Sequence, residues 1–195
     1  MKEYFDIQLG KRARLVLPSE VMAETIAVER GAICPIPGIT DAYLGVLYRR
    51  GQLLWVLDLA EFLSASMGLK LPPLPEGGLT MSDRLTLVVL TEPSSGNNSG
   101  KNSGKDSEKK TTDSSARKEA SQQSQIICAV SAVRGIVSLH PGSFEPLPPK
   151  AKRVVGGYFS GLAEIQERGE DKTTAIAAVL NVAALFAGLE TNGKA

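Results

Sequence analysis

Residues 45–59 read GVLYRRGQLLWVLDL. An apolar run, a basic turn ending in Arg50-Gly51, a second apolar run and an acid at Asp58 spell a β-hairpin. Gly51 supplies the permissive backbone of a tight turn, and the Val, Leu, Tyr and Trp on either side suit strands. By composition alone, Arg49 and Arg50 read as a solvated turn. A hairpin tip carrying two cations on a stiff support is also a good place to present a contact. Asp58 stands at a strand end, where an aspartate commonly caps the turn that follows, here from Ala60 onward.

Outward from the hairpin, the pattern stays mostly β. Residues 4–9 and 14–17 are expected strands around a turn at Gly10, and 18–23 a short helix with Pro18 and Ser19 in starting positions. Residues 25–30 read as a strand and 34–41 as a Pro/Gly loop. The hairpin strands fall at 44–48 and 53–57, followed by a short helix at 60–67 and a Pro/Gly connector at 71–80. Both 84–91, RLTLVVLT, and 125–130, QIICAV, read as buried strands. Residues 133–139 alternate well enough for a strand, and the prolines of 144–150 imply an extended path. Strands at 158–166 and 174–180 and a closing helical turn at 182–186 finish the chain.

The sharp shift in composition is residues 93–124, rich in Ser, Gly, Asn and Lys and without a large apolar side chain. Such a segment cannot bury enough surface to offset its ordering entropy and is expected to be disordered. An expanded hairpin loop is the simplest account, because closure cost grows slowly with loop length; the alternative is a linker between two domains. Residues 1–195 are accordingly read as one domain interrupted at 93–124.

A formal net charge of +1 offers no broad field for nucleic acid or a membrane surface, and an aromatic content of 5% offers few stacking platforms. The start is not a signal peptide, and the apolar stretch at 174–189 is too short to span a bilayer and carries Asn181. The cytoplasm is the expected location. Cys34 and Cys128 fit no metal spacing and read as small buried hydrophobes. His140, beside Pro141, reads as a turn residue. No phosphate loop, metal cluster, cofactor motif or catalytic triad is legible. An enzyme using Asp58 with Glu61, or His140, is the competing class, and it lacks a supporting constellation.

A weak internal echo is present. YLGVLYRRGQLLWVLDLAEFL and YFSGLAEIQERGEDKTTAIAAVLNVAALF both run Tyr, Gly, strand, charged turn ending Arg-Gly, strand, Asp or Asn, and an apolar turn. Two such units suggest two related small barrels.

These residues resemble the CheW family of chemotaxis adaptors. The likeness starts at YFDIQLG, passes through LPSEVMAE and is strongest in the central hairpin, where Gly45, Val46, Arg50, Gly51, Val56, Asp58 and Leu59 match the family pattern. The resemblance implies an all-β fold with short helices, two intertwined five-stranded SH3-like barrels about a shared apolar core. It implies a non-catalytic adaptor with no cofactor, coupling the cytoplasmic tip of a methyl-accepting chemoreceptor to the regulatory domain of a CheA-type histidine kinase. It implies no nucleic acid and no direct membrane insertion, only recruitment to receptor arrays. The many Leu-Pro and Ala-rich variations look more like copies serving pilus-based motility.

Carried over residue by residue, the likeness assigns Arg50, Arg49, Gly45, Met22 and Glu24 to receptor or kinase binding, and Gly51 and Asp58 to structure. The chain departs from the family at Tyr48, where Asn is usual, at Arg49, usually apolar, at Trp55, usually Pro, and at Asn181, where a second Asp is expected. Trp55 is expected to alter strand curvature or fill a core gap. These departures motivate an alternative, a divergent regulator that binds the kinase without a receptor.

Overall fold

The computed structural model describes residues 1–11, 13–68, 83–93, 124–155, 157–166 and 173–192. The connector expected at 71–80 and the body of the insertion, 94–123, lie outside the described residues. Ten strands are present among those described: β1 (Lys2–Leu9), β2 (Ala13–Pro18), β3 (Met22–Glu29), β4 (Tyr43–Arg49), β5 (Gln52–Asp58), β6 (Arg84–Thr91), β7 (Gln125–Val130), β8 (Ala132–Leu139), β9 (Phe159–Gln166) and β10 (Thr174–Leu180). Three α-helices accompany them: α1 (Leu59–Met67), α2 (Pro149–Val154) and α3 (Val182–Asn192).

The strands form two five-stranded sheets. The first runs β8-β1-β2-β10-β9 and the second β3-β6-β7-β5-β4. The chain starts in the first sheet, builds the whole of the second, and returns to the first, so the two are intertwined. Each sheet is mainly antiparallel with one parallel pair, β10 on β2 and β5 on β7. The strands flanking the insertion pair directly, with Thr91 opposite Gln125 and the Glu92 N–H donating to the Ser124 carbonyl at 2.9 Å.

Each sheet curls round its own apolar cluster, to which all five strands contribute. In the first, Tyr4, Val16, Ala163, Ile165, Ala177 and Val179 are buried, with Val137 and Leu139 of β8 against them. In the second, Leu47, Val56, Leu85, Leu87, Val89, Ile127 and Ala129 are buried, with Ile26 and Val28 of β3 against them. The alternate residues of the same strands meet in a shared third cluster. Ile7, Leu9, Leu15, Leu17, Leu57, Val88, Leu90, Ile126, Cys128 and Val130 lie there with α1 and α3. Period two explains this division: β6 and β7 are apolar at nearly every position because both faces are buried.

The internal echo is realised in space. β4–β5–α1 and β9–β10–α3 are each an antiparallel hairpin followed by a helix. In each, the capping side chain ends the second strand. Asp58 Oδ1 accepts from the Glu61 N–H at 3.0 Å, and Asn181 Oδ1 accepts from the Ala184 N–H at 3.2 Å. In each, a glycine lets an earlier loop lie directly on the first strand. Cys34 exchanges backbone hydrogen bonds with Val46 next to Gly45, and Glu145 does the same with Leu162 next to Gly161.

Burial pushes the Asp58 carboxyl above the ordinary aspartate range, opposed by the N–H donors of Glu61 and Ala60. Folded Asp58 therefore holds its proton more readily than unfolded Asp58, and its contribution to stability falls as pH rises from about 4. Asp58→Asn keeps a cap acceptor and removes the buried charge. It is expected to be at least as stable at pH 7 and to show a shallower fall in stability between acid and neutral pH. Asp58→Ala, which loses the cap, is expected to cost about 1 kcal/mol. Urea unfolding of the three proteins across pH checks both.

Four local expectations are corrected. Residues 18–23 form only a single 3-10 turn, Ser19–Val21, and β3 begins at Met22, because the alternation Glu24, Ile26, Val28 is recruited by β6, with Met22 joining it across a register shift. The extended path of 144–150 stops at Pro148. Pro149 opens α2 at a first-turn position where its missing N–H costs nothing. The closing turn at 182–186 is a longer helix, whose buried Leu185 and Phe186 pack on the shared core. Cys128 is buried and its thiol is pushed up to about 12 by burial, but Cys34 is exposed, since only its backbone joins β4.

Candidate functional site

The central hairpin turns on two residues. Arg49 pairs with Gln52, leaving Arg50 (φ 49°) and Gly51 (φ 84°) between them, both left-handed. That geometry matches the right-handed twist of the flanking strands and favours Asn-Gly. An arginine in the first position carries a local conformational cost, and its side chain is held out from the turn.

The two arginines have different roles. On β4, Arg49 follows buried Leu47 on the inner face of the second sheet, and on β3, Glu24 precedes Ile26 and Val28 on the same inner face. β3 and β4 are the two edges of that sheet. Arg49 Nε and Nη2 donate to the two carboxylate oxygens of Glu24 at 3.0 and 2.8 Å, joining edge to edge. The fork geometry of guanidinium on carboxylate suits this closure. Arg49's hydrogen bonds are the main reason the Glu24 carboxyl lies below its ordinary value, with the charges of Arg49 and Arg50 adding to it.

Arg50 is peripheral to this pair. Its Nη2 reaches Glu24 Oε2 at 3.3 Å while its side chain is 76% exposed. Two cations share one carboxylate, so the tip carries an excess positive charge. A cleft of about 250 Å³ opens beside it, walled by Ala23, Leu54, Val89 and Gln125. The cluster can receive a carboxylate. It holds no pair of groups suited to exchange a proton, and among the described residues no set of three His, Cys, Asp or Glu is arranged to hold a metal ion.

The structure thus brings Glu24, Arg49 and Arg50 together and leaves Met22 and Gly45 apart from them. A register shift between Met22 and Glu24 turns Met22 to the shared core. Gly45 lies at the far end of β4, pressed against the Cys34 backbone. Gly51 forms the turn and Asp58 the cap of α1. His140 sits in a turn, its Nδ1 accepting from the Gly142 N–H at 3.1 Å.

Sequence reasoning passed over the outer face of this hairpin. Trp55 fills no core gap. It is 45% exposed, with the Tyr43 ring edge-on at 5.6 Å. Trp55 stands opposite Val46, and exposed Leu53 opposite exposed Tyr48. The signal was available: GVLY and LLWV place apolar residues at outward positions, where a half-buried strand ordinarily carries polar ones.

The family model for the CheW-like domain matches residues 3–190. The chain belongs to the CheW-like family. This CheW-like chain is also similar to a solved structure, the scaffolding protein TtCheW from Thermoanaerobacter tengcongensis. The likeness has a TM-score of 0.57 at 15% identity and covers 95% of this chain and 93% of that one. At that identity the likeness speaks for the fold. No curated protein matches the sequence. CheW-like proteins are scaffolds of chemotaxis signalling.

Proposed function

We propose that this CheW-like chain is a non-catalytic adaptor that couples the cytoplasmic tip of a chemoreceptor to the regulatory domain of a CheA-type histidine kinase, with Arg50 as a direct contact. The observation that carries the reading is the division of labour between the arginines. Arg49 is spent on Glu24, whereas Arg50 stands exposed at a turn position where asparagine would be favoured. A partner carboxylate there would gain a charge-assisted hydrogen bond over a stiff hairpin. Among the described residues no helix is long and apolar enough to cross a membrane, and the proposal places the chain in the cytoplasm, recruited to receptor arrays through its partners.

Arg50→Asn tests the residue without endangering the turn. Thermal stability is expected to hold or rise slightly, while affinity for the kinase regulatory domain, measured by calorimetry, falls about tenfold to a hundredfold, the loss of one charged hydrogen bond. Equal affinity in the two proteins would remove Arg50 from the contact.

A second reading, a regulator that binds the kinase but not the receptor, is favoured by the exposed Tyr48 and Trp55, which stand where the family pattern has Asn and Pro. Separate titrations with the kinase domain and with a receptor signalling fragment decide between them. Receptor binding at an affinity comparable to the kinase's supports the coupler.

A further inference from the structure

The outer face of the β4–β5 hairpin is an apolar patch with opposite charges at its two ends. Its centre is two cross-strand pairs, Val46 with Trp55 and Tyr48 with Leu53. Tyr48 is 70% exposed, Leu53 68% and Trp55 45%. Beyond Tyr48 lies Arg50 at the hairpin tip. At the opposite end, in the turn before Tyr43, lies Asp41, exposed and in no ion pair among the described residues. The strand between them is seven residues long, which spans roughly 23 Å at ~3.3 Å per residue.

We propose that this face binds a second copy of the same chain, two-fold and antiparallel. A two-fold axis lying across the strands at the centre of the patch lays Trp55 of one copy over Leu53 of the other and Val46 over Tyr48. It sets Arg50 opposite the partner's Asp41 and, by the same operation, Asp41 opposite the partner's Arg50. Such an isologous contact must be self-complementary, and this arrangement is: apolar in the middle and reciprocal at the ends. A patch with charge of one sign only would repel its own copy. The formal net charge of +1 adds little general repulsion between chains. The three exposed side chains offer on the order of 400 Å² per copy. A stable pair buries about 800 Å² per partner. The dimer is therefore a weak one, forming and dissolving in the micromolar range or above. The proposal concerns this chain alone and does not depend on the adaptor reading.

The chain's one tryptophan sits in the patch. Sedimentation of the full chain from micromolar to near-millimolar concentration is expected to show a monomer–dimer equilibrium. Trp55 emission is expected to shift to the blue over the same range. Leu53→Lys, at an exposed position, is expected to weaken association at least tenfold and leave thermal stability unchanged. Arg50→Glu and Asp41→Lys are each expected to weaken it, and an equal mixture of the two to associate about as tightly as wild type, because each restores the other's missing pairs. A monomer across the whole range overturns the proposal, whether or not a helix of another protein binds there. So does a dimer indifferent to Leu53→Lys, or a mixture that associates no better than its components.

Discussion

Gly45→Ala is expected to lower stability by about 3–5 kcal/mol, with a fall in melting temperature of roughly 10 °C. A Cβ at this position would stand 2.1 Å from the Cys34 carbonyl oxygen and 2.7 Å from its carbonyl carbon. Neither atom belongs to a flexible side chain. Cys34 is held there by two hydrogen bonds with Val46, at 2.8 and 2.9 Å. The backbone at Gly45 has φ +134°, a region that side chains avoid at a cost of about 1–3 kcal/mol. Clash and strain add, and relief requires the 33–35 segment to lift off β4. Gly51→Ala is the control. Its φ is also positive, but the added Cβ meets nothing within 4 Å, and a loss near 1 kcal/mol is expected. Equal small losses for both would refute the backbone-contact account of Gly45. The same pair of proteins separates structure from recognition. If Gly45 acts through the fold, partner binding by Gly45→Ala declines only as far as the folded fraction declines.

Asp6→Ala is expected to cost about 3–5 kcal/mol, the usual penalty for stranding one member of a buried ion pair. Asp6 and Arg14 lie on the inner face of the first sheet, following Tyr4 on β1 and preceding Val16 on β2. Their side chains are 6% and 9% exposed. Arg14 Nε donates to Asp6 Oδ1 at 3.2 Å, and its Nη2 donates to Oδ2. Removing the carboxylate leaves a desolvated guanidinium without that partner. The double variant Asp6→Leu/Arg14→Met removes both charges and is expected to recover most of the loss, since a buried pair replaced by packed apolar groups is often neutral. Denaturant unfolding of the two singles and the double measures the coupling directly. A loss below about 1 kcal/mol in Asp6→Ala would show that solvent reaches the pair.

The two ion pairs also differ in their access to solvent. Each sheet carries an arginine–carboxylate fork on its inner face. In the first sheet the fork is closed off from water, and in the second the Glu24 and Arg49 side chains are 26% and 28% exposed with Arg50 beside them. The first stabilises or destabilises the fold. The second is accessible enough to be shared with a partner.

Much of this was legible along the chain. Period-two patterns and short apolar runs located all ten described strands to within a few residues. Arg50-Gly51 announced a hairpin turn, and Asp58 its helix cap. The echo between the two hairpin–helix units was readable because each repeats the same local order of glycine, strand, charged turn, strand and a terminal Asp or Asn. Residue types set these features through local sterics and hydrogen bonding.

The local pattern could not say that Glu24 would take a two-bond fork from Arg49 and only a single, longer bond from the exposed Arg50. Those side chains are joined only when two edge strands, 25 residues apart in the chain, are carried round the same core. Nor could it say that Trp55 would point outward, because an unbroken apolar run such as LLWVL fits a strand buried on both faces equally well. The sequence by itself determined which segments are strands, where the hairpin turns and that Asp58 caps the helix after it, all matters of short-range geometry. Which arginine remains exposed, and which apolar face remains bare, was decided by the tertiary structure alone, because burial and pairing are properties of whatever the fold places opposite a residue.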